Sequence, residues 1–266
     1  MSNKESTQKT ILVAFLLCLV CSIVISGSVV LLKPTQEINK ALNLKANILS
    51  AAGLLPESGK SADIEEAFTK IEPKIVDLDS GEYVEPQVVG KEKALAYDQR
   101  KAAKNPKLSD PLTGDEDIAS IKRRVKYAKV YLVKSGNDLE TIILPISGYG
   151  LWSTLHGFVA LEKDANTIVG LGFYEHAETP GLGGEVDNPK WKSSWTGKRL
   201  FDLDEGVEPK IHLLKGSVDK SSKDAEYQID GLAGATLTSR GVTNLIQFWV
   251  GENGFQRYLN RLRKEA

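Results

Sequence analysis

From Ile11 to Leu32 the chain carries no charged side chain, and Lys33-Pro34 closes the run. As a helix that stretch rises about 33 Å, enough to cross a hydrocarbon core of roughly 30 Å. A cleaved signal peptide has an apolar region of about 7–15 residues ending in small side chains, and neither condition fits. Lipid attachment at Cys21 is disfavoured by the bulky Val20 in front of it. The run therefore reads as an uncleaved single-pass anchor over residues 11–32, after a short tail of residues 1–10. Lys4 and Lys9 before the span are nearly balanced by Lys33, Lys40 and Lys45 after it, so local charge barely fixes orientation. A short tail followed by a large domain fits an inward N-terminus, which puts the domain outside.

Cys18 and Cys21 both fall inside the span, so the domain that follows has no disulfide. Its core must hold it alone, which roughly 230 residues can supply. A net charge of -1 favours neither nucleic acid nor an anionic surface as partner. After the anchor, Thr35 is expected to cap a helix reaching about Ala52, and Asp63 to Ile71 reads as a short second helix. The stretch from Pro73 to Asp117 is polar and reads as an irregular connector with one or two weak strands. Alternation then predicts strands over Tyr127–Val133 and Leu139–Ile146 across a Ser-Gly-Asn-Asp turn. A second hairpin joins Phe158–Leu161 to Ile168–Tyr174 over Asp164-Ala165-Asn166. Pro189 to Leu200 has a helical pattern with Trp191 and Trp195 as core, and a last helix is expected from about Ser239 to Leu262. The expected class is α+β: one transmembrane helix, a helical and irregular segment over 33–120, and an antiparallel sheet with packed helices over 121–266.

Three segments carry the chemistry. Asp230-Gly231-Leu232-Ala233-Gly234-Ala235-Thr236-Leu237-Thr238-Ser239 is a glycine-loosened turn offering hydroxyls at a helix N-terminus, a geometry that suits an anion. It lacks the Lys of a nucleotide-phosphate loop. Gly148-Tyr149-Gly150-Leu151-Trp152-Ser153 and the run from Tyr174 to Gly183 set glycine among large side chains, so backbone can approach a planar ligand. Trp152 and Leu182 can cover the two faces of an isoalloxazine, with Thr179 and backbone amides at its polar edge. Taken singly, each segment is ordinary loop packing. His156, His176 and His212 lack metal-ligand spacing, and Ser153 and Ser239 lack a nucleophile elbow.

The Asp230–Thr236 turn resembles the motif on which threonine carries FMN through a phosphoester, although Ala233 stands where that motif has Ser or Thr. Together with Lys45-Ala46-Asn47-Ile48-Leu49, Gly148–Trp152 and Glu175–Gly183, it makes the chain resemble the C subunits of bacterial sodium-translocating NADH:quinone oxidoreductases. The resemblance spans nearly the whole length. It implies FMN covalently bound on Thr236, with contacts from Trp152, Glu178, Thr179, Gly181, Leu182 and Gly183, and from Gly234, Ala235, Leu237 and Thr238. Thr238 and Ser239 are possible phosphate contacts. The implied role is an electron relay within a six-subunit, sodium-exporting complex of the bacterial inner membrane, with the bulk of the chain periplasmic. No catalytic site, metal or iron-sulfur centre belongs to this chain on that reading. Attachment would need a separate flavin transferase that uses FAD and Mg and releases AMP, with Asp230, Gly231, Gly234 and Ala235 as its recognition turn. The G subunits of the related Rnf complexes and an anchored binding domain without redox chemistry are the alternatives.

Overall fold

The computed structural model describes residues 6–136 and 138–265, so Lys4 and Asn137 of the expectations above lie outside the described residues. Met1–Asn43 and Leu44–Ala266 form two compact units. In the first, helix α1 (Thr7–Ala51) begins and exposes its apolar side chains on every side, Phe15, Ile23 and Val30 among them. It is long and apolar enough to cross a membrane. A helix apolar all round wants lipid or a protein interior about it. Its one bonded hydroxyl in the run, Ser28, donates back to the Val24 carbonyl at 2.8 Å, so it brings no unsatisfied donor. Pro34 sits inside the helix, and Thr35, expected to cap a new one, is an interior residue. Proline removes its own amide from the helix and crowds the carbonyl four residues back, yet the helix continues through it.

In the second unit α1 ends, burying Ile48, Leu49 and Ala51, and α2 (Ser61–Phe68) follows with Ile64 and Phe68 inward. The helix stops short of Ile71 because Ile71–Asp77 is strand β1, rich in β-branched residues that pair along β5 (Tyr127–Ser135). The region expected to be an irregular connector with one or two weak strands thus supplies most of an internal strand of the main sheet. Pro73 is tolerated there because β2 (Tyr83–Val84) pairs only with Ile75 and Val76, leaving the outer edge at 73 without a partner. A short helix α3 (Gln99–Ala102) and a small ladder of β3 (Ser109–Pro111) with β4 (Arg123–Val125) bridge to β5.

Strands β5, β6 (Asp138–Tyr149), β7 (Thr154–Glu162) and β8 (Ile168–Glu175) form an antiparallel meander, and the six-stranded order is β2-β1-β5-β6-β7-β8. Alternation divides the faces. Ala128, Val130, Leu132, Ile142, Leu144, Ile146, Leu155 and Val159 join one core cluster with Val242, Leu245, Ile246 and Trp249 of α5 (Thr236–Val250). Tyr131, Ile143, Phe158 and Ala160, also buried, point the other way. On β8 the Ala51 carbonyl lies against Gly170, where a Cβ would stand 2.6 Å from it.

The helical run expected over 189–200 is only α4 (Pro189–Ser193), although Trp191 and Trp195 are core residues with ring centroids 5.6 Å apart. Strands β9 (His212–Leu213) and β10 (Gln228–Ile229) then pair in parallel. The last helical pattern divides into α5 and α6 (Gln256–Glu265). Gly251 and Gly254 break it; the Gly254 backbone folds onto Trp249, where a Cβ would lie 2.0 Å from the Trp249 carbonyl oxygen.

Candidate functional site

Thr236 is the first residue of α5 and is exposed. No side chain caps this helix, and the first α5 amide to reach back to the preceding turn is Ser239, which donates to Ala235 at 2.9 Å. The amides before it lie in the first turn, where a helix has no acceptors of its own and its dipole is positive. Gly234 holds φ at +70° and Ala235 is buried, which turns the chain so that Thr236 faces outward.

The other two segments meet this turn. A Cβ on Gly234 would come 3.0 Å from Leu182 Cδ2, so Leu182 stands beside the acceptor turn. Leu182 is 43% exposed and Leu237 52%, which leaves apolar surface open beside Thr236, and Trp152, on the segment tied to the same turn through Glu178, is 64% exposed. Tyr149 and Leu151 are also exposed, and neither was singled out as a contact from the sequence. Thr179 and Gly181 are exposed on the same loop; the Thr179 carbonyl accepts from the Leu182 and Gly184 amides.

Glu178 and Gly183 are buried between these segments. Glu178 Oε1 accepts the amides of Leu151 (3.1 Å), Trp152 (3.0 Å) and Ser153 (3.4 Å), and Oε2 accepts the Thr238 hydroxyl at 2.7 Å. Burial by itself raises this carboxyl, but the bonds from Thr238 and the three amides outweigh it, so its pKa lies below the usual carboxylate value. A folded pKa depressed in this way contributes stability in full above the unfolded pKa, and that contribution is lost as pH falls through the folded value. Trp152 fluorescence in the flavin-free protein is therefore expected to stay constant from pH 8 down to about pH 5 and to change only in more acid solution. A transition centred near neutrality would contradict the assignment.

Thr238 and Ser239, read from the sequence as phosphate contacts, spend their hydroxyls internally: Thr238 donates to Glu178, and Ser239 Oγ accepts the Leu232 amide at 3.0 Å. Asp230 is engaged likewise, with Oδ1 accepting the Val218 amide and its carbonyl accepting Trp191 Nε1. The histidines are structural. His176 Nδ1 accepts the Glu178 amide, which leaves Nε2 to donate to Asp187 at 2.8 Å. Burial pushes His156 down to about 4, so it is neutral near pH 7. Among the described residues no His, Cys, Asp and Glu group could hold a metal.

Residues 150–251 match the FMN-binding domain family, a span that opens at the Gly150 turn and closes just past α5. That match and the antiparallel sheet with packed helices make this an FMN-binding domain following an apolar, membrane-length helix. The C subunit of the Na(+)-translocating NADH-quinone reductase of Pseudomonas aeruginosa is 52% identical over 99% of both chains. That of Yersinia pestis is 44% identical over 99% of this chain and 96% of its own. The chain belongs to the family of the C subunits of Na(+)-translocating NADH-quinone reductases and is a subunit of that oxidoreductase. The crystal structure of Shewanella oneidensis NqrC superposes with a TM-score of 0.73 at 37% identity, over 84% of this chain and 97% of that one. The crystal structure of the corresponding C subunit from Parabacteroides distasonis, 24% identical, shares the fold with a TM-score of 0.64 over 86% of this chain and 96% of its own.

Proposed function

We propose that this chain is an electron-carrying subunit that holds FMN by a phosphoester to Thr236, within a complex that couples NADH oxidation by quinone to sodium export. The observation that carries this reading is the exposed Thr236 hydroxyl on an uncapped helix N-terminus, with Leu182, Leu237 and Trp152 exposed around it. Bound there, FMN would supply reversible uptake and release of electrons. The chain's own residues do the holding. First-turn amides of α5 meet phosphate charge with the positive end of the helix dipole, while Trp152 and Leu182 offer apolar surface to a flat ring and exclude water from it. Thr179 and the backbone beside it provide the polar edge.

A threonine hydroxyl is a weak nucleophile at neutral pH and needs an outside base. A flavin transferase using FAD and Mg meets that need. The Thr236 oxygen gives up its proton and bonds to the FMN-side phosphorus, the pyrophosphate bond breaks, and AMP leaves. A covalent link keeps the cofactor at high effective concentration where a free one would be diluted away. On this reading α1 anchors the chain once in the bacterial inner membrane, the domain is periplasmic, and the other five subunits are its partners.

Intact mass of the purified chain with peptide mapping tests the proposal. A single FMN phosphate adduct on the Thr236 peptide is expected; an unmodified, colourless chain after expression with the transferase would favour a binding domain without redox chemistry. Replacing Trp152 or Leu182 by Ala is expected to shift the flavin's spectrum or midpoint potential while covalent attachment persists. Unchanged redox titrations for both variants would remove these two side chains from the site.

A further inference from the structure

We propose that Glu178 is a positioning residue: its carboxylate ties the 151–153 turn, the 178–184 loop and the first turn of α5 into one frame that fixes where Thr236 stands relative to Trp152 and Leu182. The inference rests on Thr236 as the flavin acceptor but replaces the direct cofactor contact that the sequence implied for Glu178. An ionised carboxylate offers about two acceptor sites on each oxygen; here the Leu151, Trp152 and Ser153 amides share Oε1 and the Thr238 hydroxyl takes one site of Oε2. At 5% exposure the carboxylate is turned into the protein rather than onto the open surface.

The surroundings are shaped to admit the side chain. A Cβ on Gly150 would stand 2.6 Å from Glu178 Oε1, and one on Gly183 would stand 2.7 Å from Oε2 and 2.6 Å from Thr238 Oγ1. The backbone that carries Glu178 is itself held, since the Ala177 amide donates to Ser153 Oγ at 2.7 Å and the Glu178 amide donates to His176. Charge-assisted bonds of this kind are roughly twice as strong as neutral ones, and removing their shared acceptor leaves four donors without it together. Segments 27 and 60 residues from Glu178 would then lose a common anchor.

Two measurements on the full-length chain in detergent test this. The first is hydrogen exchange on flavin-free Thr236→Ala protein. Adding Glu178→Leu, similar in size but without an acceptor, should speed exchange at Leu151, Trp152 and Ser153 by about tenfold or more together with residues 179–184, and leave β5 to β7 unchanged. Glu178→Gln keeps an acceptor oxygen for the three amides and should restore most of the protection. The second is covalent flavin yield in the otherwise unaltered chain expressed with the transferase. Glu178→Leu should cut it about tenfold per folded chain, Glu178→Gln much less; Thr238→Val should lower it and Thr238→Ser restore it. The Thr238 pair carries the test if Glu178→Leu does not fold. Wild-type exchange at 151–153 in Glu178→Leu, or wild-type flavin yield in both Glu178→Leu and Thr238→Val, would overturn the proposal. Absence of flavin from the unaltered chain would instead remove Thr236 as acceptor, while the exchange measurement would still decide the frame.

Discussion

Thr236→Ala is expected to give a folded protein from which all flavin is lost on denaturation. Thr236 is exposed at the start of α5 and caps nothing, so its side chain contributes little to the core. Alanine is the better helix former, and a surface change of this kind alters stability by no more than about 0.5 kcal/mol. The effect on the cofactor is all or nothing, because no other hydroxyl of the turn faces outward: Thr238 is bonded to Glu178 and Ser239 to the Leu232 amide. Thr236→Ser keeps the oxygen and should retain attachment. Flavin fluorescence in a denaturing gel reads both variants, and intact mass confirms them. Fluorescence that stays with the Thr236→Ala band would end the assignment.

Trp249→Ala is expected to be the most damaging single change in the domain. The ring is 3% exposed, lies 5.5 Å from Phe248 and 5.7 Å from Phe255 between centroids, and donates through Nε1 to the Ser147 carbonyl at 2.7 Å. Truncating a buried tryptophan costs about 3–5 kcal/mol through lost transfer energy and the cavity left behind, and the orphaned carbonyl adds to that. Against the 5–15 kcal/mol typical of whole domains, that is a large share. A fall in Tm of about 6 °C or more should follow in a domain of this size. A fall under about 3 °C would mean that the core at α5 repacks. Because Ser147 immediately precedes the Gly148–Ser153 segment, attached flavin should also become less uniformly bound in this variant.

What the sequence displayed of the fold was its periodic parts. The meander β5 to β8 and the apolar stripe of α5 alternate or repeat cleanly, and each has a single buried face to report. Strand β1 was concealed by Pro73, a residue that argues against strands except where one edge is free, and that edge is a tertiary fact. Thr35 is a residue type that favours helix caps and stands just past the apolar run, yet α1 runs through it and through Pro34. At the site, composition placed glycine, aromatic and hydroxyl residues in three segments; it did not distinguish hydroxyls that face outward from those that bond inward. Thr238 and Ser239 look the same as Thr236 in a string of letters. What separates them is the Leu232 amide on Ser239 and, on Thr238, Glu178, whose pairing across 60 residues no local pattern announces.

That long-range carboxylate also sets an order of events in time. Its donors come from residues 151–153 and from Thr238, near the end of the chain. A nascent polypeptide has not yet brought these segments together, whatever its sequence at 236. If Thr236 is the acceptor as proposed, loading would follow completion and folding, and the flavin's colour would report that maturation has finished.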